Sequence, residues 1–222
     1  ITGMVGSHLT DYLLKNTDWD IHGMCRWRST QDNIEHLIPR VNVGDSVFFH
    51  YGDLCDYISL QNVIDKVKPD YVFHLASLIA IPHSYNSPYS YLRTNAEGTM
   101  NILEACIDTK VQKIVHTSTS EVYGDIRKMP ISETDNIFAK SPYSATKIAA
   151  DQIAASYYSS FGLPVTTVRP FNTYGPRQSN RAIIPTIISQ LCADTGEIVL
   201  GNVNPTRDLT YVTDTCSAMY EI

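Results

Sequence analysis

Short runs of apolar and β-branched residues alternate along this chain with stretches whose apolar positions recur at helical spacing. Residues 5–16 read as a helix, 21–24 as a strand and 47–51, Val-Phe-Phe-His-Tyr, as another strand. Residues 59–66 read as a helix with Ser59 as its N-cap. Pro69-Asp70 then turns the chain into Tyr71-Val72-Phe73-His74-Leu75, the near-continuous apolar run of a buried strand. A helix over 96–108 carries Met100, Ile102, Leu103 and Ala105 at its apolar positions. Residues 113–116 open the next strand, 143–161 form a long helix, and 165–168 form a strand closed by Arg169-Pro170. Strands alternating with helices predict an α/β fold with parallel pairing in a doubly wound sheet. Ligands of such sheets bind beyond the carboxyl ends of the strands. Arg26, Ala76, Thr119, Glu121 and Asn172 all fall there. After Gly175-Pro176 the alternation becomes irregular, which predicts a smaller lobe over the sheet edge. The chain has no internal repeat and no low-complexity segment.

Composition narrows the class. The 222 residues are 43% hydrophobic and 18% charged, with a formal net charge of −6. That is ordinary globular composition, with enough apolar material for a sizeable core. The acidic balance, with no basic stripe to offset it, argues against nucleic acid as a partner. A negatively charged ligand must therefore be held by local positive groups. The five cysteines, Cys25, Cys55, Cys106, Cys192 and Cys216, are scattered, odd in number and without CxxC spacing. They read as reduced thiols rather than a disulfide framework or metal site. No run is long enough to span a bilayer and no leader is visible, so the expected location is cytoplasmic and no membrane partner is expected.

The candidate chemistry begins with Tyr143 and Lys147 in Ser-Pro-Tyr-Ser-Ala-Thr-Lys. Four residues apart on a helix, they project from one face. An ammonium beside a phenol favours the phenolate, so Lys147 is expected to lower the Tyr143 pKa from its reference of about 10. A tyrosine so tuned can take a proton from a hydroxyl while a nicotinamide takes the hydride. Tyr and Lys at this spacing also occur on ordinary amphipathic helices. The chain opens Ile1-Thr2-Gly3-Met4-Val5-Gly6-Ser7-His8, glycines suited to bring a backbone close to a pyrophosphate at a helix N-terminus. The segment is too short for GxGxxG or GxxGxxG. Either the loop is truncated or residues between Gly3 and Met4 are missing, and the second reading is favoured; Gly3 and Gly6 as plain turn glycines is the third. The second strand runs into Arg26-Trp27-Arg28-Ser29 with no acid to accept from a ribose 2′-hydroxyl. Two guanidiniums and a hydroxyl suit a 2′-phosphate, which favours NADP over NAD, against the plainer reading of a solvated basic loop. Asp53-Leu54 would lie against the adenine. Arg181 and Arg207 are candidates for a diphosphate, or else surface ion-pair partners. Asn172 would hold a sugar or phosphate, or else cap a turn. His74 reads as a packed residue of an apolar strand, and neither it nor His83 belongs to a metal-ligand spacing.

Together these pieces resemble the extended short-chain dehydrogenase/reductase family, and within it the nucleotide-sugar epimerases and dehydratases. The resemblance runs over essentially the whole chain. It is carried by Thr2-Gly3 with Gly6-Ser7-His8, Gly52-Asp53-Leu54, His74-Leu75-Ala76, Thr94-Asn95 with Gly98-Thr99, and Tyr143/Lys147. Arg169-Pro170-Phe171-Asn172 with Tyr174-Gly175-Pro176, and Thr206-Arg207-Asp208, complete the set. Within Ser118-Thr119-Ser120-Glu121-Val122-Tyr123-Gly124, Glu121 stands where epimerases usually carry a small non-acidic residue and 4,6-dehydratases carry Glu. Thr-Ser-Glu and the Arg26–Ser29 loop are similar to GDP-mannose 4,6-dehydratases. Residues 75–82 and Pro176-Arg177-Gln178-Ser179 look more like dehydratases acting on nucleotide-linked N-acetylglucosamine.

The resemblance implies a Rossmann-type dinucleotide-binding domain over 1–175 and a partial nucleotide-sugar-binding lobe over 176–222, with the rest of that lobe expected beyond Ile222. It implies cofactor contacts from Gly3, Met4, Val5, Gly6, Arg26, Arg28, Ser29, Asp53, Leu54, Leu75, Ala76, Ser77, Thr117, Tyr143, Lys147 and Pro170. Substrate contacts would come from Asn172, Arg181 and Arg207, and catalysis from Thr119, Ser120, Glu121, Tyr143 and Lys147. The implied reaction is a 4,6-dehydration. Tyr143 takes the C4-hydroxyl proton as hydride passes to NADP, or to NAD as the alternative. Glu121 then removes the C5 proton and helps protonate the departing 6-hydroxyl, and hydride returns to C6. Oxidation at C4 comes first because a ketone makes the C5–H acidic. Ser120 is no strong acid, so Glu121 must serve as base and acid, or water must intervene. An epimerase or reductase on the same scaffold, and a non-catalytic NADP(H) sensor, are the competing readings. A homodimer or higher homo-oligomer, pairing through helices over 96–108 and 145–161, is expected from the resemblance.

Overall fold

The computed structural model describes residues 1–126, 128–194 and 196–222. Among these, the helices in chain order are α1 (Met4–Asn16), α2 (Ile38–Val43), α3 (Tyr57–Val67), α4 (Ile81–Asn86), α5 (Pro88–Tyr91), α6 (Gly98–Cys106), α7 (Pro142–Phe161), α8 (Ile183–Cys192) and α9 (Val212–Glu221). The strands are β1 (Ile21–Cys25), β2 (Val47–Tyr51), β3 (Tyr71–His74), β4 (Lys113–Thr117), β5 (Val165–Val168), β6 (Asn172–Tyr174) and β7 (Leu209–Tyr211). β1 pairs with β2, β3-β4-β5 form a three-stranded sheet, and β6 pairs with β7. The β3/β4, β4/β5 and β6/β7 pairs are parallel, as the strand–helix alternation predicts.

The chain groups into two compact units, one of Ile1–Ile21, Thr30–Val47 and Phe171–Glu221, the other of His22–Ser29, Phe48–Pro170 and Ile222. In the first unit α1 and α9 pack together. Leu9 and Leu13 on one helix and Val212, Cys216 and Met219 on the other are buried. Tyr12 and Trp19 both lie against the Tyr220 ring, with centroids 5.8 and 5.9 Å away.

The second unit has a core of Leu54, Leu60, Ile64, Ile102, Leu103, Ile114 and Ala154. Fully buried side chains such as Leu60 and Leu103 stabilise by about 1.5–3 kcal/mol each. Gly98 is where α6 meets this core, since a Cβ there would lie 2.8 Å from that of Leu54. The N-cap of α3 is Asp56, not Ser59. Its carboxylate accepts from Ile58 N at 3.2 Å and Ser59 N at 3.4 Å, while the Ser59 hydroxyl donates back to Asp56 O at 2.8 Å. A carboxylate favours the positive helix end more than a hydroxyl does, and the helix gains a turn by it. The helix expected over 96–108 begins earlier, through a π-helical stretch Leu92–Glu97 that runs into α6.

The register His74↔His116 and Thr117↔Val168 brings the carboxyl ends of β3, β4 and β5 to one edge of their sheet. The segments that follow, from residues 75, 118 and 169, all leave from that edge. Sheets of this class bind their ligands there.

Candidate active site

α7 presents the Tyr/Lys pair. Its start is fixed by a reciprocal capping box in Ser-Pro-Tyr-Ser. Ser144 N donates to Ser141 Oγ and Ser141 N to Ser144 Oγ, both at 3.0 Å, with Pro142 in the first turn. The cap holds Tyr143 in the first turn, 6% exposed, and Lys147 follows one turn later, 3% exposed. Lys147 Nζ donates to the Thr117 carbonyl at 2.5 Å, tying the helix to the end of β4.

Immediately beyond β4 the chain makes a 3-10 turn, Ser120–Tyr123, with Thr119 as N-cap. Thr119 Oγ1 accepts from Glu121 N at 3.3 Å, and the Thr119 hydroxyl acts on the Tyr143 phenol to lower it. Ser120 N donates to Pro170 O at 3.1 Å, which ties the turn to the end of β5. Gly124 closes the turn at φ +62°, and a Cβ there would lie 2.5 Å from Phe138 O, so only glycine fits. The structure thus brings together Thr117, Thr119, Ser120, Glu121, Tyr143, Lys147 and Pro170 from three separate stretches of sequence.

The electrostatics correct one expectation. The Tyr143 phenol is pushed up, not down. Burial is the main cause; the hydrogen bond with Thr119 pulls it back, and Glu121, Tyr91 and Asp151 push it further up. Burial also drags Lys147 down to about 8, against the pull of Asp151. The ammonium is engaged with a backbone carbonyl, while carboxylates and a second phenol surround Tyr143. The lowering of the phenol expected from the four-residue spacing is therefore not what the protein alone supplies.

Beneath the pair lies a polar cluster that the motif spacing did not reveal. Asp151, 4% exposed, accepts from His116 Nε2 at 3.1 Å, Ser118 Oγ at 2.9 Å and Arg169 Nε at 3.2 Å. Burial works to raise the Asp151 carboxyl, but these bonds and the Arg169 charge outweigh it and hold it below the usual range. His116 is pushed down by burial, against the upward pull of its bond to Asp151 and of the Asp151 charge. His74 is the packed residue expected. It is buried, bonded to Thr99 Oγ1 at 3.0 Å and beside the His116 ring. Asn95, in the π-helical stretch, clasps Leu78 by two backbone bonds of 2.8 and 3.0 Å and bonds Thr146 at 3.2 Å. It thereby fastens the segment after β3, with Leu75 and Ser77 half-buried and Ala76 exposed, to the helix bearing Tyr143. Tyr91 meets the Tyr143 ring edge-on at 6.3 Å. The position of Asp151, one turn after Lys147, was the available signal for the cluster.

The remaining candidates divide. Gly3 is the N-cap of α1, and its carbonyl accepts from Ser7 N at 2.9 Å. Gly3-Met4-Val5-Gly6 runs as one continuous turn into the helix. The first turn of α1 has no side-chain cap and no acid, and the space beside Gly3 Cα is open. A Cβ on Gly6 would meet Ile1 backbone atoms at 3.1 Å. An uncapped helix end with open space beside its glycine fits a pyrophosphate. Arg26 and Arg28 are exposed on a turn closed by Ser29 N to Arg26 O at 2.9 Å, and neither is in an ion pair among the described residues. The Asp53 carboxylate accepts from Cys55 N at 2.9 Å, and the Leu54 side chain is packed into the core. Asn172 and Arg207 stand near each other at the head of the β6/β7 ladder, where Asn172 N donates to Asp208 O at 3.1 Å. Both are exposed, and so is Arg181, in the loop before α8. Among the described residues no group of three His, Cys, Asp or Glu side chains is arranged to hold a metal ion, and no helix is long and apolar enough to cross a membrane.

Residues 1–222 match the family described as GDP-mannose 4,6 dehydratase. The chain belongs to that family. It is 32% identical to a dTDP-D-glucose 4,6-dehydratase of Dictyostelium discoideum, over 97% of this chain and 52% of that one. It is 31% identical to a GDP-mannose 4,6 dehydratase of Drosophila melanogaster, over 99% of this chain and 58% of that one. The chain thus spans a little over half the length of these relatives. Its fold is that of solved members of the same superfamily. A UDP-glucuronic acid 4-epimerase of Bacillus cereus, in complex with UDP-glucuronic acid and NAD, superposes with a TM-score of 0.88 at 29% identity, covering 99% of this chain and 69% of that one. The Rossmann-type fold read from the sequence is that of this GDP-mannose 4,6-dehydratase family member, and its class is that of nucleotide-sugar dehydratases and epimerases.

Proposed function

We propose that this chain carries the catalytic part of a nucleotide-sugar 4,6-dehydratase, converting an NDP-hexose to its 4-keto-6-deoxy product. The observation that carries the reading is Glu121, a carboxylate on the turn capped by Thr119, close enough to Tyr143 that both residues act on its phenol. A carboxylate beside the alcohol-oxidising tyrosine is what abstraction of a C5 proton requires. Tyr143 would accept the C4-hydroxyl proton as its phenolate, a form that burial and the neighbouring carboxylates disfavour in the protein alone and that a cation bound beside it would favour. Glu121 takes the C5 proton, the C6–O bond breaks, and the proton passes to the departing hydroxyl as water. A nicotinamide held there would supply the redox chemistry, accepting hydride from C4 and returning it at C6, while a solvent proton enters at C5 in place of the one lost as water.

Gly3, Met4, Val5 and Gly6 would hold its pyrophosphate. Arg26, Arg28 and Ser29 favour a 2′-phosphate, hence NADP with NAD as the alternative, and Asp53, Leu75, Ala76, Ser77, Thr117 and Pro170 would complete the site. Leu54 would act only through its backbone, its side chain being in the core. Asn172, Arg181 and Arg207 would contact the substrate, which is of the GDP-mannose or NDP-N-acetylglucosamine type. In this reading residues 1–175 are the dinucleotide-binding domain, 176–222 belong to the sugar-binding lobe, and the protein works in the cytoplasm as a homodimer or higher homo-oligomer.

Epimerisation at C4 is the second reading, favoured by the likeness to the UDP-glucuronic acid 4-epimerase. Glu121→Gln separates the two. In the dehydratase reading the variant binds cofactor and oxidises C4 but loses water elimination by about a hundredfold or more, the usual scale of general acid–base catalysis. Dehydration at the parent rate would remove Glu121 from the mechanism, and C4 inversion without loss of water in the parent protein would return the epimerase reading.

A further inference from the structure

The 3-10 turn that carries Glu121 is held at both ends by one buried carboxylate. On the entry side, Ser118 Oγ donates to Asp151 Oδ2 at 2.9 Å and His116 Nε2 to Asp151 Oδ1 at 3.1 Å. On the exit side the link runs through Arg169. Its Nε donates to the same Oδ2 at 3.2 Å, and its Nη1 donates to the Tyr123 hydroxyl at 3.1 Å. The guanidinium carbon also sits 5.3 Å from the Tyr123 ring centroid. Two residues separate Ser118 from Glu121 and one separates Glu121 from Tyr123, so little slack remains between the two anchors.

An ion pair buried this deeply, with side-chain exposures of 3% for Asp151 and 22% for Arg169, adds little to stability because desolvation offsets the attraction. What it supplies is fixed geometry. The planar fork of Arg169 meets Asp151, Tyr123 and, at 3.5 Å, the Glu133 carbonyl at set angles, which a lysine cannot reproduce. Tyr123 itself is buried, and its hydroxyl reaches the guanidinium at the end of a rigid ring. Tyr143 and Lys147 are held by other means, the capping box of α7 and the Thr117 carbonyl.

We propose that the Asp151–Arg169–Tyr123 link is a brace that positions Glu121 for water elimination, with Arg169 and Tyr123 acting on that step and not on oxidation at C4. The inference rests on the reading of Glu121 as the C5 base. A carboxylate displaced by about 1 Å can lose on the order of a hundredfold in rate.

The test uses full-length protein in single turnovers, with two readouts. Absorbance of the reduced nicotinamide follows C4 oxidation, and deuterium uptake at C5 from heavy water follows elimination. Tyr123→Phe keeps the ring and its burial; Arg169→Lys keeps the charge beside Asp151 and loses the fork. Both are expected to oxidise C4 at the parent rate and to take up C5 deuterium about tenfold or more slowly, so that the 4-keto hexose accumulates. Parent-rate elimination in both variants, with Glu121→Gln blocked, overturns the brace and leaves the Glu121 reading standing. Equal slowing of both steps, with a lowered melting temperature, also overturns it, since that is the mark of a purely structural role. Parent-rate elimination in Glu121→Gln removes the brace and the reading beneath it together.

Discussion

Lys147 is the residue on which the local physics is most exposed to measurement. Burial lowers its pKa from 10.5 to about 8. The unfolded chain therefore holds more protons than the folded one between those values. Stability from this group is poorest below pH 8 and improves as pH rises towards 10.5. The shift corresponds to about 3 kcal/mol. Lys147→Met removes that term, so any advantage of the variant over the parent in urea unfolding should shrink steadily from pH 8 to 10.5. A difference that stays flat across that range would mean that Lys147 is not buried as a charge. The pairing of Tyr143 with Lys147 was legible in the sequence because helical spacing fixes which residues share a face. The direction of the Tyr143 shift was not. It depends first on burial, which only the tertiary packing supplies, and then on Glu121, Tyr91 and Asp151, which lie far apart in sequence or on other turns.

At the scale of elements, most of the secondary structure was readable because period and punctuation agree. β2, β5 and the long helix α7 lie where the hydrophobic pattern puts them. The differences were at boundaries and in elements that the pattern did not give, α2, α4, α5 and everything from β6 onwards. Ser59 looks like a cap, but Asp56, three residues earlier, is the better acceptor for the orphan amides of α3. The π-helical stretch before α6 has no sequence period of its own, and it carries Asn95, whose bonds to Leu78 and Thr146 no pattern foretells. α7 offers a direct test of how much local capping contributes. Ser141→Ala removes the acceptor for Ser144 N and is expected to lower stability by about 1 kcal/mol. If the capping box also holds Tyr143 in place, C4 oxidation should slow with no change in cofactor affinity. Unchanged thermal unfolding and unchanged oxidation would show that packing alone sets the helix start.

At the scale of the whole molecule, the chain spells out one half of its chemistry more clearly than the other. The Tyr143/Lys147 pair, the Thr119 turn and Glu121 lie within one compact unit, among the ends of β4, β5 and α7. Their order in sequence is enough to name the family. Asn172, Arg181 and Arg207 stand in the other unit as exposed side chains. Exposed polar residues carry no period and no burial signature, so the sequence offers their type and little of their use. For the same reason the nucleotide and the hexose are read less sharply than the reaction.

The central claim, that this protein dehydrates a nucleotide sugar through a C4 ketone, is tested most directly by product mass in heavy water. Full-length protein would be incubated with NADP⁺ or NAD⁺ and a panel of GDP-mannose, UDP-N-acetylglucosamine, GDP-N-acetylglucosamine and dTDP-glucose. Loss of one water with deuterium gained at C5, on at least one sugar and better with NADP⁺, is the predicted result. Sugars recovered unchanged in mass and unlabelled, with cofactor bound, would contradict the account.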